Sequence, residues 1–302
     1  MTDTVEATAA LAGDPALLEL AEEAGTLAVT TRCPRPGAAL LHGRGLVGLL
    51  LVGAVFLLGL LAPVIAPFHP NEQLSDANLL SASSAHWFGT DDVNRDVLSR
   101  VLHGIRPDVL VVFVAVPIGA LIGCLLALLS TLNGATDVLT QRFFDVVLAF
   151  PAIILAIGLA AITGPGIGPV IAVVVLVEIP VFGRLLRTSI LRIRELPFTE
   201  AATVMGAGRW WVLRRHIIPN STEPLLVQLA LSMTIAVFLE SAMSFIGIGV
   251  RPPSPSLGSI VADSVANLDA NPWFAVGPLI VVAALVLGFQ LIAQALASAR
   301  RS

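Results

Sequence analysis

The chain has 302 residues, of which 56% are hydrophobic and 13% are charged, whereas about 25% of the residues of an average soluble domain are charged. This composition excludes an ordinary soluble domain and predicts a membrane protein. The formal net charge of -4 owes much to an acidic N-terminal segment, so it gives no indication of nucleic-acid binding. Cys33 and Cys124 are too far apart in the sequence to indicate a disulfide framework or a metal site.

The acidic segment, residues 1–44, precedes the first apolar run. Its first 31 residues contain acidic residues and no basic residue, unlike the basic start of a signal peptide. We therefore expect a disordered cytoplasmic tail, with a short amphipathic helix over DPALLELAEEAG as the alternative. The membrane domain is predicted to cover residues 45–302.

Six apolar runs approach the roughly 20 residues that a helix needs to cross the hydrocarbon core. The fourth run is the shortest, and it contains Glu178 and Pro180. These runs predict an all-α, polytopic membrane protein with six transmembrane helices. The runs lie at residues 46–66, 109–131, 143–162, 169–186, 225–250 and 274–297.

The arginines predict the orientation, because the chain has no lysine. With both termini in the cytoplasm, all but four of the 17 arginines lie on the inner side, as the positive-inside rule requires. We therefore expect a multi-pass protein of the cytoplasmic membrane, with an outer loop at 68–108 and an inner connection at 192–220. The four arginines expected outside are Arg95, Arg100, Arg106 and Arg251.

The outer loop contains two charged pairs at i, i+4 spacing. Asp91 precedes Arg95 by four residues, and Asp96 precedes Arg100 by four residues. One interpretation is the solvated face of a helix. The other, which also includes Asp92, is a scaffold at the outer mouth where another protein docks. The histidines of the chain are dispersed, and no pair has the spacing of metal ligands on one helix.

The inner connection contains the segment TEAATVMGAGRWWVLRRHIIPN, residues Thr199 to Asn220. It predicts a helix capped by Thr199, an interruption at Gly206 to Gly208, and a second short helix that ends at Pro219. A plain alternative is an amphipathic loop at the membrane surface, with tryptophans at the lipid headgroups. The small residues favour close approach by another protein instead.

The spacing of this segment resembles a known pattern. Glu200-Ala201-Ala202, three residues, Gly206, nine residues and a four-residue stretch ending in Pro219 resemble the EAA loop of ABC importer permeases. HWFGTDDVNRDVLSRVLHGIR and FLESAMSFIGIGVRPPSPSLG resemble the dipeptide, oligopeptide and nickel branch of these permeases, specifically its C-type subunit. The resemblance covers roughly residues 46–300. It departs at His216, where the general pattern has isoleucine, and at Leu257, where a tryptophan is frequent.

The resemblance implies the type I ABC importer permease fold and ATP-driven uptake of dipeptides or oligopeptides, with nickel chelates or another small solute as the alternative. It implies four kinds of partner: the lipid membrane, a homologous second permease subunit, two ATPase subunits or one fused ATPase, and an external substrate-binding protein. ATP and Mg²⁺ are expected on the ATPases. A Walker A loop requires a lysine, so this chain is expected to be neither an enzyme nor a cofactor carrier.

The resemblance also implies roles in the inner connection, whose helix docks on the ATPase in that family. Glu200 is expected to make polar contacts there, and Ala201 and Ala202 to allow close packing. Gly206 is expected to set the turn, together with Gly208. Pro219 is expected to fix the angle at which the fifth span begins.

Two acidic residues lie within predicted spans, where an unpartnered charge costs several kcal/mol. Glu178 and Glu240 are candidates for the translocation path, with a structural hydrogen bond as the plain alternative. A secondary transporter would use the same residues for ion coupling, but the sequence shows no internal repeat. An intramembrane enzyme would need a motif such as GxSxG or HExxH, which the sequence lacks. Near a span end, Asp145 is expected to pair with Arg142.

Overall fold

The computed structural model describes residues 40–131 and 133–298, without the side chain of Arg209. The predicted tail lies outside the described residues up to residue 39, as do Arg32, Arg35, Arg300 and Arg301. Apart from one isolated bridge between Thr90 and Asp96, the regular elements of the described part are all helical.

Five long helices and several shorter ones make up this part of the chain. Five helices are long and apolar enough to cross a membrane, and a bent pair of shorter helices completes a sixth span if it is counted as one. The all-α class is confirmed, and the number of spans is six when the bent pair is counted as one span. The long helices are α1 (Gly43–Ile65), α2 (Val97–Ser130), α5 (Ile167–Arg194), α8 (Ile218–Phe245) and α10 (Trp273–Ser298). The shorter ones are α3 (Gly134–Leu148), α4 (Ala152–Thr163), α6 (Pro197–Val204), α7 (Arg209–Val212) and α9 (Leu257–Val265).

The third span differs from the single helix predicted at 143–162. Helices α3 and α4 meet there at an angle of 84°. Pro151 explains the break, because proline has no amide hydrogen for the helix and disfavours helical geometry at the preceding Phe150. Pro151 is also the N-cap residue of α4. The sequence contained this signal, but the continuous hydropathy of the run hid it.

Helix α2 begins at Val97, twelve residues before the predicted start of the second span. The carboxylate of Asp96 caps it by accepting a hydrogen bond from the backbone N–H of Ser99 at 2.8 Å. Polar residues in the first part of α2 lower the local hydropathy, so the start of the span was predicted too late in the sequence. At about 1.5 Å per residue the 34-residue helix is much longer than the hydrocarbon core, so it extends beyond the membrane.

The fifth span is longer than predicted and is not broken at Pro219. A π-turn, Leu213–Ile217, joins α7 to α8, so that Trp210–Phe245 forms one helical span of 36 residues. Pro219 lies in the first turn of α8, where its missing amide hydrogen is tolerated. The wider π-turn accommodates the missing amide hydrogen of proline without interrupting the helix, so the predicted break is wrong.

The helices pack closely where glycines replace larger side chains. On α2, a Cβ at Gly123 would collide with the carbonyl oxygen of Ile179 on α5. Between α1 and α10, a Cβ at Gly48 would lie 2.6 Å from the carbonyl oxygen of Gly288. Small residues of this kind let membrane helices approach and gain van der Waals contact, which replaces the hydrophobic effect inside lipid.

Candidate functional site

Helix α6 begins one turn earlier than predicted. Its N-cap residue is Leu196, and Pro197 occupies the first helical position, where proline fits well. Thr199 is therefore not the cap. Its side chain is buried and donates a hydrogen bond to the carbonyl oxygen of Ile193 at 2.8 Å, which ties α6 to the end of α5.

The turn after α6 is built around Gly206. Its φ is +88°, a left-handed conformation that L-residues rarely adopt. The N–H of Gly206 donates to the carbonyl oxygen of Thr203, and the N–H of Ala207 donates to that of Ala202, both at 3.0 Å. A Cβ at Gly206 would meet nothing within 4 Å, so the surface is open there. Gly208 lies outside the left-handed region, and its carbonyl oxygen accepts from Val212 N–H at 3.1 Å.

The α6 face, defined as Glu200, Ala201, Val204, Met205 and Gly206, is exposed. Val204 and Met205 are each 82% exposed, although both are apolar. Ala202, by contrast, is buried, so its side chain packs inside the chain. An open groove of about 440 Å³ lies beside the α6 face, lined by Ala202, Met205, Gly206, Ala207, Gly208 and Trp211.

His216 connects α6 to the π-turn. Its ring lies 5.5 Å from the ring of Phe198 and 5.2 Å from that of Trp211, centroid to centroid. An isoleucine at this position would keep apolar contact but lose the ring geometry. The departure from the general EAA pattern thus has a packing role in this chain.

Glu178 and Glu240 are both buried inside the helical bundle. Ser232 of α8 donates to Glu178 Oε2 at 2.6 Å, and Gln228 donates to Ser232 Oγ at 3.2 Å. Ser244 donates to Glu240 Oε1 at 2.7 Å. Neither carboxylate lies on an open surface of the described chain, and their place along a path stays a prediction.

The structure adds Asp108, which the sequence had assigned to the end of the outer loop. Asp108 is fully buried on α2. Ser241 donates to Asp108 Oδ1 at 3.3 Å. An acidic residue at the edge of an apolar run was a signal, but nothing in the sequence paired it with a residue more than a hundred positions away.

The charged pairs at Asp91 and Asp96 do not form a helix face, so that interpretation is wrong. Asp91 is fully buried in an irregular turn, where its Oδ1 accepts from the N–H groups of Val93 and Arg95 at 3.0 and 2.8 Å. Its Oδ2 accepts from Arg95 Nε at 2.7 Å and lies 3.5 Å from Arg100 Nε. The turn forms because the Asp91 carboxylate satisfies the backbone amides that a helix would have used.

The rest of this cluster binds the segment between α1 and α2, residues 66–96, to helices α2 and α9. Asp96 caps α2, and its Oδ1 lies 2.9 Å from His86 Nδ1. Arg100 is buried and lies 3.8 Å from Asp263 of α9. Partial burial raises the pKa of the Asp263 carboxyl, and the Arg100 charge opposes that rise. Asp92 is exposed, so it is the acidic residue of this cluster that a partner can reach most directly.

Asn271 attaches the same segment to the turn before α10. Its Nδ2 lies 3.2 Å from each of three carbonyl oxygens, and the side chain is fully buried. One amide group thereby contacts three points of an irregular stretch and adds to the hydrogen bonds that this stretch makes within itself. The three carbonyl groups belong to Leu80, Phe88 and Thr90.

Replacing Asn271 by aspartate is expected to loosen this attachment. A carboxylate has no donor and places a negative charge against three carbonyl oxygens, so we expect a loss of about 1–3 kcal/mol. The measurement is the thermal unfolding of the purified chain, together with protease cleavage within residues 66–96. Asn267→Asp is the control, because Asn267 makes its side-chain bond, to the Asp263 carbonyl, at the surface. Equal behaviour of the two variants would contradict the role of Asn271.

At the opposite end of the bundle, Asp145 pairs mainly with Arg184 of α5, at 2.6 Å, whereas the predicted partner Arg142 lies at 3.8 Å. Arg187 makes a second bridge between α5 and α3, with Nε and Nη2 each 2.7 Å from an oxygen of Asp137. Within residues 40–131 and 133–298, no group of three or more histidine, cysteine, aspartate or glutamate side chains is placed to hold a metal ion.

The comparisons with known proteins agree on one family. Residues 115–302 match the family described as "Binding-protein-dependent transport system inner membrane component". The chain is 34% identical over 255 residues to the dipeptide transport system permease protein DppC of Alkalihalophilus pseudofirmus, which covers 84% of each protein. It is 35% identical over 242 residues to the probable D,D-dipeptide transport system permease protein DdpC of Escherichia coli, covering 80% of this chain and 81% of that one.

Solved structures show the same fold at lower identity. A chain of the inward-facing MetNI methionine ABC transporter matches with a TM-score of 0.54 and 18% identity, over 67% of this chain and 95% of that one. A relative named for a different substrate is the glutathione transport system permease protein GsiD of Pectobacterium atrosepticum, 34% identical over 84% of both chains. The chain belongs to the family of binding-protein-dependent transport system inner membrane components, as a permease subunit of a peptide-type ABC importer.

Proposed function

We propose that the chain moves dipeptides or oligopeptides across the cytoplasmic membrane, driven by ATP that separate ATPase subunits hydrolyse. The relatives support short peptides as substrates, because they include dipeptide, D,D-dipeptide and glutathione permeases. A homologous second permease, an ATPase pair or one fused ATPase, and an external binding protein complete the proposed importer. ATP and Mg²⁺ are assigned to the ATPases.

The observation that carries the coupling proposal is the exposed α6 face. Two apolar side chains at 82% exposure, beside an open groove, are what a protein interface leaves when its partner is absent. In the proposal, Glu200 and Ala201 contact the ATPase, and Gly206 and Gly208 shape the turn. Ala202 and Pro219 act from inside this chain, by packing under α6 and by starting α8.

The arginines support a cytoplasmic position for the α6 face. Arg184, Arg187, Arg192 and Arg194 lie on the last turns of α5, directly before α6. Arg214 and Arg215 lie in the π-turn that follows it. This concentration of positive charge at one end of the bundle favours the inner side of the membrane, and we assign the two termini to the same side.

The opposite end is proposed to receive the binding protein. Asp91 and Asp96 are buried, so they form the scaffold, while Asp92 and part of Arg95 are accessible to a partner. Between the two ends, Glu178 and Glu240 are the buried carboxylates that we assign to the translocation path. The hydrogen bonds from Gln228 through Ser232 to Glu178 link α8 to α5.

Site-directed cross-linking tests the docking of the α6 face. In a chain whose Cys33 and Cys124 are replaced by alanine, Met205→Cys is expected to form a cross-link with the ATPase subunit when the whole transporter is assembled. Trp87→Cys is the matched control, since Trp87 is 69% exposed but lies in the segment between α1 and α2. A cross-link from Trp87→Cys and none from Met205→Cys would reject the assignment, and cross-linking to lipid alone would favour a membrane-surface loop.

A further inference from the structure

Helix α3 is attached to the bundle by few contacts. Of its 15 residues, all of them described, Phe144 and Val147 are buried, and the others are partly or fully exposed. Apolar side chains are among the exposed ones, since Leu139 is 72% exposed. The position of α3 therefore depends on a few specific contacts and not on a packed core of its own.

Two ion pairs join α3 to the last part of α5. Arg187 donates from Nε and Nη2 to the two carboxylate oxygens of Asp137, each at 2.7 Å, and this bidentate geometry fixes direction as well as distance. Arg184 donates from Nη2 to Asp145 Oδ1 at 2.6 Å. At the helical rise per residue, the two aspartates lie about 12 Å apart along α3 and the two arginines about 4.5 Å apart along α5. Attachment at two separate points holds α3 against rotation on α5.

An aromatic ring packs between α3 and α5 beside these ion pairs. Phe144 of α3 is fully buried, and its ring occupies the space that Gly183 of α5 leaves open, because a Cβ at Gly183 would collide with it. The same glycine lies against α2, where the carbonyl oxygen of Gly123 would be 3.2 Å from that Cβ. We name these contacts the α3 clamp, which consists of Asp137, Phe144, Asp145, Gly183, Arg184 and Arg187.

The α5 side of the α3 clamp leads directly into the α6 face. Two residues separate α5 from α6. There the carbonyl oxygen of Leu196 accepts from the N–H groups of Thr199 and Glu200 at 2.9 and 3.2 Å, and Thr199 Oγ1 donates to the Ile193 carbonyl. Because these bonds join the end of α5 to the start of α6, a displacement of α6 is transmitted to the two arginines of the clamp.

The α2 side of α3 is more open. Among the described residues, one side-chain hydrogen bond joins these two helices, from Thr136 Oγ1 to the carbonyl oxygen of Leu129 at 3.1 Å. A groove of about 220 Å³ lies among the end of α2, the start of α3 and the end of α5, and Asp137 and Arg187 line part of it. This groove leaves space in which the start of α3 can shift when α5 moves.

We propose that the α3 clamp makes α3 move with α5 and α6, so that a displacement of α6 by the ATPase reaches α3 and, across the bend at Pro151, α4. The charged residues of the clamp are positioning residues for transport, because they act through the helices that they join. The inference rests on the proposed docking of the ATPase at the α6 face. It requires the clamp to stay closed throughout the transport cycle, in contrast to a gate whose ion pairs open and close.

Charge reversal tests the clamp in the assembled transporter, with uptake of labelled dialanine and ATP hydrolysis measured in the same vesicles. Arg187→Asp opposes two carboxylates, so we expect uptake per ATP to fall about fivefold or more, at the lower end of typical coupling between sites. ATP hydrolysis continues, because the α6 face is unchanged. Asp137→Arg/Arg187→Asp restores an ion pair at the same net charge and is expected to recover the ratio. Arg192→Asp is the matched control and is expected to keep the ratio, because Arg192 is exposed at the same end of α5 without an ion pair among the described residues.

A covalent link separates a closed clamp from a gate. In a chain whose Cys33 and Cys124 are replaced by alanine, Asp137→Cys/Arg187→Cys removes the ion pair and is expected to lower uptake per ATP as Arg187→Asp does. Joining the two cysteines with a short bifunctional thiol reagent is expected to restore the ratio, because the link replaces the ion pair. The open groove beside them gives the reagent access.

Three results would overturn the inference. A wild-type ratio in Arg187→Asp shows that the clamp carries no movement. A double variant Asp137→Arg/Arg187→Asp that is as poorly coupled as Arg187→Asp shows that the loss does not come from the ion pair. Uptake that cross-linking abolishes shows that α3 and α5 separate during transport. Failure of the proposed function looks different, since the wild-type chain would then take up substrate without ATP, and that result would overturn both proposals.

Discussion

Gly206→Asp is expected to abolish ATP-driven uptake while the chain remains folded in the membrane. The substitution imposes a side chain on a residue at φ +88°, which costs about 1–2 kcal/mol for most L-residues. It also places a carboxylate on the α6 face, where the proposed ATPase contact would bury it without a partner. The bundle itself is unaffected, because a Cβ at Gly206 meets nothing within 4 Å.

The size of this effect follows from the cost of burying an unpaired charge. About 3–5 kcal/mol is typical, which weakens docking by roughly a hundredfold or more. The measurement is the substrate-stimulated ATPase activity of the assembled transporter, with membrane insertion as the check on folding. Gly206→Ala is the control, since it adds the backbone strain without the charge and is expected to keep much of the activity. Full ATPase stimulation in Gly206→Asp would reject docking at this face.

The parts of the fold that depend on local sequence could be predicted. Helices α1 and α10 lie within a few residues of the predicted first and last spans, because a long uninterrupted apolar run has few other solutions in a membrane. The turn at Gly206 was predictable for the same reason, since a glycine after a short helix allows a left-handed conformation. Where a local sequence pattern strongly favours one conformation, that part of the structure can be predicted from the sequence.

The wrong predictions concern residues for which the local sequence allows two different conformations. A proline breaks a helix or is accommodated, and Pro151 does the first whereas Pro219 does the second. The residues before Pro219 form a π-turn that keeps the helix continuous, whereas the chain bends sharply at Pro151. Thr199 likewise has the chemistry of a cap, but Pro197 starts the helix earlier and Thr199 bonds to Ile193 instead.

The contacts between distant residues could not be predicted at all. The i, i+4 spacing of Asp91 and Arg95 produced a real ion pair, but in a turn and not in a helix. Arg100 joins Asp91 instead of Asp96, because the helix begins at Val97 and turns Asp96 into its cap. The hydrogen bond from Ser241 to Asp108 depends on how α2 and α8 pack, and a single sequence contains no record of that packing.

Asp91→Ala is expected to destabilise the chain strongly, because Asp91 is the buried centre of the cluster between α1 and α2. Its loss leaves the N–H groups of Val93 and Arg95 without their acceptor. It also leaves the buried Arg100 with Asp263, 3.8 Å away, as its remaining ion-pair partner among the described residues. Removing one member of a buried ion pair typically costs about 3–5 kcal/mol.

The neighbouring Asp92 supplies the control for this prediction, because its side chain is exposed. Asp92→Ala is expected to change stability by no more than about 0.5 kcal/mol, as is usual at the surface. Thermal unfolding of the purified proteins compares the two variants. The double variant Asp91→Ala/Arg100→Met separates the causes, since it removes the stranded charge but not the lost turn. Recovery of part of the stability in the double variant assigns that part to the buried Arg100 charge. If Asp91→Ala and Asp92→Ala unfold at the same temperature, the cluster does not hold the segment in place.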